Sequence, residues 1–375
     1  MSEIVFVLGA GASVHAGAPV MANFLEVARD IERSIDPEDP IKTDYQRVRK
    51  AIYAIQRVQS KAKVDLHNLE AVFTILESAL TVKKLAGFEP DDIPQAIASF
   101  KKVITHTLDS RSTLLVQAKG VQFGAPLSAV AQKTHFFIGP SRDYNSFARA
   151  IKEIRPTRSV SVITFNYDVG VDFALSYNGI FPNYNLPDTP IHDDGLSLIK
   201  PHGSLNWAKE KDSDRIIALD TGRIIEAQAV PKPHISPSPF TFAFGSRISE
   251  HIRAQQQLEV EDTPVLVPPG IYKADHHRAL NSVWRAAAKE LSEAEDIIVI
   301  GFSLPTTDSF FNHLYALGTE GESIIRRFWV YNPDRKVVDR FMTILGEQAL
   351  PRFRYKEADF SDAIRDLWET YQPKR

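Results

Sequence analysis

Residues Ile4-Val5-Phe6-Val7-Leu8 run straight into Gly9-Ala10-Gly11-Ala12-Ser13, and Gly17-Ala18-Pro19 follows after three further residues. Five consecutive apolar residues rich in β-branched side chains read as a strand covered on both faces, the pattern of a parallel sheet. The glycines that end it permit a sharp turn into a helix and let a ligand approach main-chain amides closely. The stretch therefore predicts strand, phosphate-binding turn and helix, the opening unit of a Rossmann-like α/β fold. Taken alone the turn is a weak signal, because a tight strand-to-helix turn without a ligand has the same composition. Val14 also stands where the dinucleotide fingerprint places its third glycine, and no acidic residue ends a second strand at the customary distance.

Outward from this unit, strand character returns at 160–165 and 196–199, then alternates regularly with helical periodicity in the last third. Strands are expected at 265–267, 296–300, 327–331 and 353–355, and helices at 281–292, 308–317, 334–345 and 362–371. Such alternation implies right-handed crossovers and a doubly wound parallel sheet with helices on both faces. Between the first strand and residue 150 the apolar residues fall at helical spacing instead, with Leu66, Leu69, Val72, Phe73, Leu76 and Leu80 on one face. Residues 212–230 read as a hairpin turning at Asp220-Thr221-Gly222, followed by Pro231, Pro233, Pro237 and Pro239 in a segment placed as a loop over the site. The expected organisation is a core from 1–20, 151–207 and 264–375, a large helical insertion at 21–150, and a second, smaller hairpin and proline-rich insertion at 208–263.

Composition narrows the function classes. The 375 residues carry 44 basic and 47 acidic side chains, net charge −3, so no global basic field points to sequence-specific nucleic-acid binding. Cysteine is absent, which excludes disulfides, a thiolate nucleophile and cysteine-ligated zinc, and agrees with a reducing compartment. No apolar run approaches the ~18 residues of a membrane span, and the N-terminus lacks a signal-peptide pattern. The expectation is a cytoplasmic protein with no membrane partner.

Three polar islands each follow a predicted strand: Thr164-Phe165-Asn166-Tyr167-Asp168, Lys200-Pro201-His202-Gly203, and Gly301-Phe302-Ser303; Asn332 follows the next strand. Strand ends are where ligand loops belong in an open parallel sheet. In this order, and with Gly9-Ala10-Gly11-Ala12-Ser13 and Gly17-Ala18-Pro19 before them, the islands resemble the sirtuin superfamily. The likeness extends to its bacterial sirtuin-like branch in antiphage defence systems, to which the helix at 67–80 is also similar. The resemblance implies NAD+ as substrate and no metal. It assigns His202 as general base on the ribose hydroxyl and Asn166 as the amide that positions the attacking water. Gly9, Ala10, Gly11, Ala12, Ser13 and Pro19 would form the pyrophosphate loop, while Gly301, Ser303 and Asn332 would hold the adenosine end. Asp168 would contact the ribose side or stiffen its loop.

Two departures matter. The four-cysteine zinc ribbon of deacylating sirtuins is missing, and Val20-Met21-Ala22-Asn23-Phe24 replaces their Asp-Phe-Arg run. The resemblance therefore implies an NAD+ glycohydrolase that releases nicotinamide and ADP-ribose, an NAD-depleting effector of antiphage defence. The alternatives are a non-catalytic NAD- or ADP-ribose-sensing subunit and a zinc-free NAD-dependent protein deacylase. Control of such an activity is expected through homo-oligomerisation or a partner such as a HerA-type ATPase or another defence sensor. Asp308 reads equally as a helix cap and a ligand contact. The neighbouring His276 and His277, beside Asp275, point apart on a helix and do not read as a metal site.

Overall fold

The opening strand, β1 (Ile4–Leu8), lies inside a seven-stranded, all-parallel sheet in the computed structural model. The structure describes residues 2–58, 65–111, 115–119, 135–222, 230–231, 240–241, 243–267, 277–305, 310–318 and 324–371. Asp275, His276, Asp308, Pro233, Pro237 and Pro239 lie outside these residues, as does the second arm of the expected hairpin.

The remaining strands in chain order are β2 (Leu115–Lys119), β3 (His135–Gly139), β4 (Val160–Thr164), β5 (Pro182–Asn183), β6 (Leu196–Ile199) and β7 (Gly203–Glu210). They continue with β8 (Ile216–Ala218), β9 (Val230–Pro231), β10 (Phe240–Thr241), β11 (Val260–Leu266), β12 (Asp296–Ile300), β13 (Arg327–Tyr331) and β14 (Phe353–Lys356). The large sheet runs β14-β13-β12-β1-β4-β6-β5. Every residue of β1, β4 and β12 is buried, which is why these strands read as unbroken apolar runs. From β1 the chain builds outward through β4 and β6, with β5 at the edge, then crosses back to β12 and builds the other way through β13 to β14. Strand order therefore reverses between β1 and β12, which pair in register from Ile4–Asp296 to Leu8–Ile300. A crevice opens at the carboxyl ends of strands at such a switch point.

Helices α1 (Phe24–Ser34), α2 (Ile41–Val58), α3 (Leu69–Val82) and α4 (Ile93–Arg111) fill the segment after the first turn. They pack with one another, and with a three-stranded antiparallel sheet ordered β11-β7-β8, around Phe73, Phe100, Leu205 and Ile217. Pro94 is accommodated because it falls in the first turn of α4, where a helix needs no N–H from it. The backbone pair β2–β3 is a departure from the all-helical expectation for this segment. A further helix, α5 (Arg142–Ile154), returns to the large sheet and buries Tyr144, Phe147, Ile151 and Ile154 in its core.

The last third supplies α8 (His277–Glu293), α9 (Phe310–Gly318), α10 (Val337–Ile344) and α11 (Phe360–Tyr371); α6 (Gly170–Tyr177) and α7 (Ile248–Gln256) precede them. No described helix is long and apolar enough to cross a membrane. Two expectations are corrected. The strand at 265–267 is the end of β11, which runs antiparallel to β7 and is no part of the parallel sheet. Ile216 to Ala218 pairs backward with β7, through Trp207 and Ala218, while Thr221 and Gly222 are helical and do not make a hairpin turn. The physical reason is that β7 carries buried polar residues, Ser204 and Asn206, which hide its strand character from an apolar pattern.

Candidate active site

The floor of the crevice is two glycine loops packed backbone against backbone. Gly9 N–H donates to Ile300 O at 3.1 Å, Gly11 N–H to Gly301 O at 2.9 Å, and Ala12 N–H to Gly9 O at 2.9 Å. A Cβ on Gly9 would lie 2.5 Å from Phe302 Cα, and one on Gly11 2.8 Å from Gly301 Cα. Gly301 is itself in the left-handed region, with φ +63°, where a side chain is strained. These glycines thus serve loop-to-loop packing first. The amides of Gly9, Gly11 and Ala12, expected to face pyrophosphate, are already committed within the protein.

The loop after β4 carries Asn166. Its Nδ2 donates to Gly9 O at 2.9 Å and to Ser13 Oγ at 2.8 Å. Because a carbonyl can only accept, the amide orientation is fixed, with Oδ1 as the group left over. Ser13 Oγ donates to Asp168 Oδ2 at 2.7 Å, so its 2.7 Å contact with Tyr144 must be a bond donated by the phenol. Burial, then the neighbouring Asp168 charge, pushes the Tyr144 hydroxyl well above its ordinary range, which keeps that proton in place. Asp168 Oδ1 accepts from Gly170 N–H at 2.9 Å. Ser13 and Asp168 are therefore a supporting layer behind Asn166, and the Ser13 hydroxyl is fully used.

The loop after β6 carries His202, which is buried. Its ring meets Phe165 edge-on, with centroids 5.0 Å apart, and Phe165 stacks on Phe302 at 4.6 Å. On the main chain, Val267 N–H donates to His202 O at 2.8 Å and Trp284 Nε1 to Pro201 O at 2.8 Å. Gly203 follows at φ +84°, and a Cβ there would lie 2.0 Å from Val265 O. The glycine after His202 is thus required by the close crossing of β11, independently of any ligand.

A cavity of about 580 Å³ stands over this floor, within the range of small-molecule sites. It brings together Ala10, Gly11, Asn166, His202, Gly301, Ser303 and Asn332. Gly9, Ala12, Ser13, Pro19 and Asp168 are not among its lining residues; Ser13, Pro19 and Asp168 instead border a void of about 30 Å³ beside Asn166. Asn332 is partly occupied with loop structure, donating to Phe302 O at 3.3 Å and accepting from Asp334 N–H at 2.9 Å. Ser303 is exposed at the rim and its carbonyl accepts from Arg340 at 2.7 Å. Arg340 also lines the cavity, as do Asp65, His67, Asn68 and Glu70 at the start of α3. The motif reading noted the helix at 67–80 but named neither group as site residues. The Asn68 cap, whose Oδ1 accepts from Glu70 N–H at 2.8 Å, was the one local signal that this segment has a fixed geometry.

No family model matches the sequence, and no curated protein matches it. Among solved structures the chain is similar to a Sir2 homologue mutant in complex with ADP-ribose, at 14% identity and TM-score 0.41, covering 100% of this chain and 95% of that one. It is also similar to a Sir2 homologue–NAD complex, at 14% identity and TM-score 0.38, covering 99% of this chain and 91% of that one. A third is Sir2Tm bound to a propionylated peptide, at 13% identity and TM-score 0.39, covering 98% and 92% respectively. The α/β class rests on the parallel sheet itself.

Proposed function

We propose that the protein hydrolyses NAD+ to nicotinamide and ADP-ribose. The observation that carries this reading is the pairing, in one cavity at the sheet's switch point, of His202 with an Asn166 amide whose NH2 is locked into the protein. The bond from nicotinamide nitrogen to ribose C1′ breaks with its electron pair leaving on neutral nicotinamide, and C1′ becomes cation-like. Water oxygen then bonds to C1′ and its proton is lost, giving ADP-ribose and H+. Asn166 Oδ1, an acceptor, orients a water or ribose hydroxyl by taking its hydrogen bond. His202 has an imidazole, which can take up and release a proton, and the aromatic wall of Phe165 and Phe302 limits water access. Gly301, Ser303 and Asn332 hold the adenosine end in this reading.

In the same reading the activity depletes NAD+ in antiphage defence, and the helical segment α1 to α4 is the surface through which copies or a partner restrain it. The decisive experiment follows nicotinamide and ADP-ribose after mixing the protein with NAD+, beside His202→Ala and Asn166→Ala. Both substitutions should abolish product. Turnover that survives both would sink the assignment, and tight NAD+ binding with no product under any oligomeric state would favour a sensing subunit.

A further inference from the structure

Lys200 is buried with 0% of its side chain exposed, and so is its partner Asp172. The ammonium lies 2.9 Å from Asp172 Oδ2 and donates to the main-chain carbonyl of Asp168 at 2.7 Å. Asp172 Oδ1 accepts from Tyr184 at 2.7 Å, and the Tyr184 oxygen accepts in turn from Asn206 Nδ2 at 2.9 Å. Asn206 also donates to Leu219 O at 2.9 Å. Burial, then the Asp172 charge, holds the Tyr184 phenol well above its ordinary range, so Tyr184 keeps its proton and donates it to Asp172.

Taking an ammonium and a carboxylate out of water costs several kcal/mol for each ion, and an apolar pair of similar volume often holds a fold equally well. What an apolar pair cannot do is grip a carbonyl of one loop from the neighbouring loop. Lys200 is two residues before His202, and Asp168 is two residues after Asn166. Asp168 is gripped at both ends: its carboxylate holds Ser13 and through it the Asn166 amide, and its carbonyl holds Lys200. A main-chain bond ties β7, which follows the His202 loop, to the same Asn166 loop: Leu205 N–H donates to Tyr167 O at 2.9 Å.

We propose that Lys200 is a positioning residue whose ammonium sets the spacing between Asn166 and His202 by tying the His202 loop to the carbonyl of Asp168. The proposal rests on the NAD+-hydrolysis reading for its kinetic consequence but not for its structural content. The test is the double variant Lys200→Met with Asp172→Leu, which removes both charges together and leaves no uncompensated buried ion. Thermal unfolding, steady-state NAD+ hydrolysis and backbone amide exchange at Leu205 are measured on the full chain. The variant should stay folded but melt several degrees below the parent, because the Tyr184 hydroxyl and the Asp168 carbonyl lose their buried partners. Its kcat should fall about 10- to 100-fold, the cost of ångström-scale misplacement, with KM moving less than about 3-fold. Exchange at Leu205 should accelerate about 10-fold or more as the two loops uncouple.

A folded double variant with parental kcat and parental exchange at Leu205 overturns the proposal. If the parent does not cleave NAD+, the functional reading fails, while exchange at Leu205 still decides whether Lys200 ties the loops. Should the double variant not fold, Tyr184→Phe removes one hydrogen bond to Asp172 and leaves the ion pair in place. Its kcat should drop about 3-fold with faster Leu205 exchange, and parental values of both count against the tie.

Discussion

Gly11 donates its backbone N–H to the carbonyl of Gly301 at 2.9 Å, and a Cβ built on Gly301 would lie 2.4 Å from Ala12 N. The two loops that floor the cavity therefore meet backbone to backbone. Gly301→Ala adds both a side chain at φ +63° and a clash with backbone that cannot swing aside. The expected loss is at least about 2 kcal/mol of stability. Chemical denaturation should show it, together with loss of NAD+ turnover; an unchanged midpoint would mean the loops can separate freely.

The orientation of the Asn166 amide makes a second prediction. Asn166→Asp places an oxygen against Gly9 O and Ser13 Oγ, where the parent donates two bonds. A carboxylate there must be protonated to donate, so the fold raises its pKa. A raised carboxylate pKa favours the protonated form: the variant is relatively stable at low pH and loses stability as pH rises through its folded-state value. Its melting temperature relative to the parent should thus be lower at pH 8 than at pH 5. A pH-independent difference would argue that the amide is turned the other way.

Ser13→Ala tests the supporting layer directly. The substitution leaves one Asn166 N–H and the Tyr144 hydroxyl without the Ser13 oxygen, a cost of about 1–3 kcal/mol. Since Ser13 is not among the cavity-lining residues, NAD+ hydrolysis should lose kcat, by roughly 10-fold, more than it changes KM. A KM effect with kcat intact would instead place the hydroxyl on the ligand.

Asp109, which is not among the residues that line the cavity, offers a pH probe. It is buried and accepts backbone bonds from Gly245 at 3.1 Å and Ser246 at 2.7 Å, yet burial outweighs these bonds and raises its pKa to about 6. The folded state therefore binds the proton more tightly than the unfolded chain, and this group's contribution to stability falls as pH rises between about 4 and about 6. Asp109→Asn, which does not titrate, should cost less at pH 7.5 than at pH 4.5, the gap being of the order of 2 kcal/mol, because the unfolded carboxyl is already largely ionised at pH 4.5. Urea unfolding of both proteins at the two pH values measures it, and an equal cost at both refutes the shift.

The parallel sheet was legible because its inner strands are buried on both faces. Ile4–Leu8, Val160–Thr164 and Asp296–Ile300 declare themselves as short, largely apolar runs followed by polar loops. β7 escaped notice because Ser204 and Asn206 are polar yet fully buried, with Asn206 satisfied by Tyr184 and Leu219 from other segments. In the site, Asn166 and His202 stood out through a motif resemblance, in order after predicted strands, and the cavity brings them together. The work of Ser13 and Asp168 could not be read the same way: they lie 155 residues apart, and only the fold puts their oxygens 2.7 Å from each other. Local spacing also says nothing of walls brought in from elsewhere, which is how Asp65, Asn68, Glu70 and Arg340 went unseen.

Ile4 pairs with Asp296, so the floor of the cavity joins the two ends of a span of almost three hundred residues. During synthesis the first glycine loop leaves the ribosome long before its counterpart exists, and it must wait with its backbone donors open. Any chain interrupted before Gly301 lacks half of the floor. Under the proposed NAD+ hydrolysis the activity therefore cannot arise before Gly301 has been made, and a fragment terminated earlier carries no hazard.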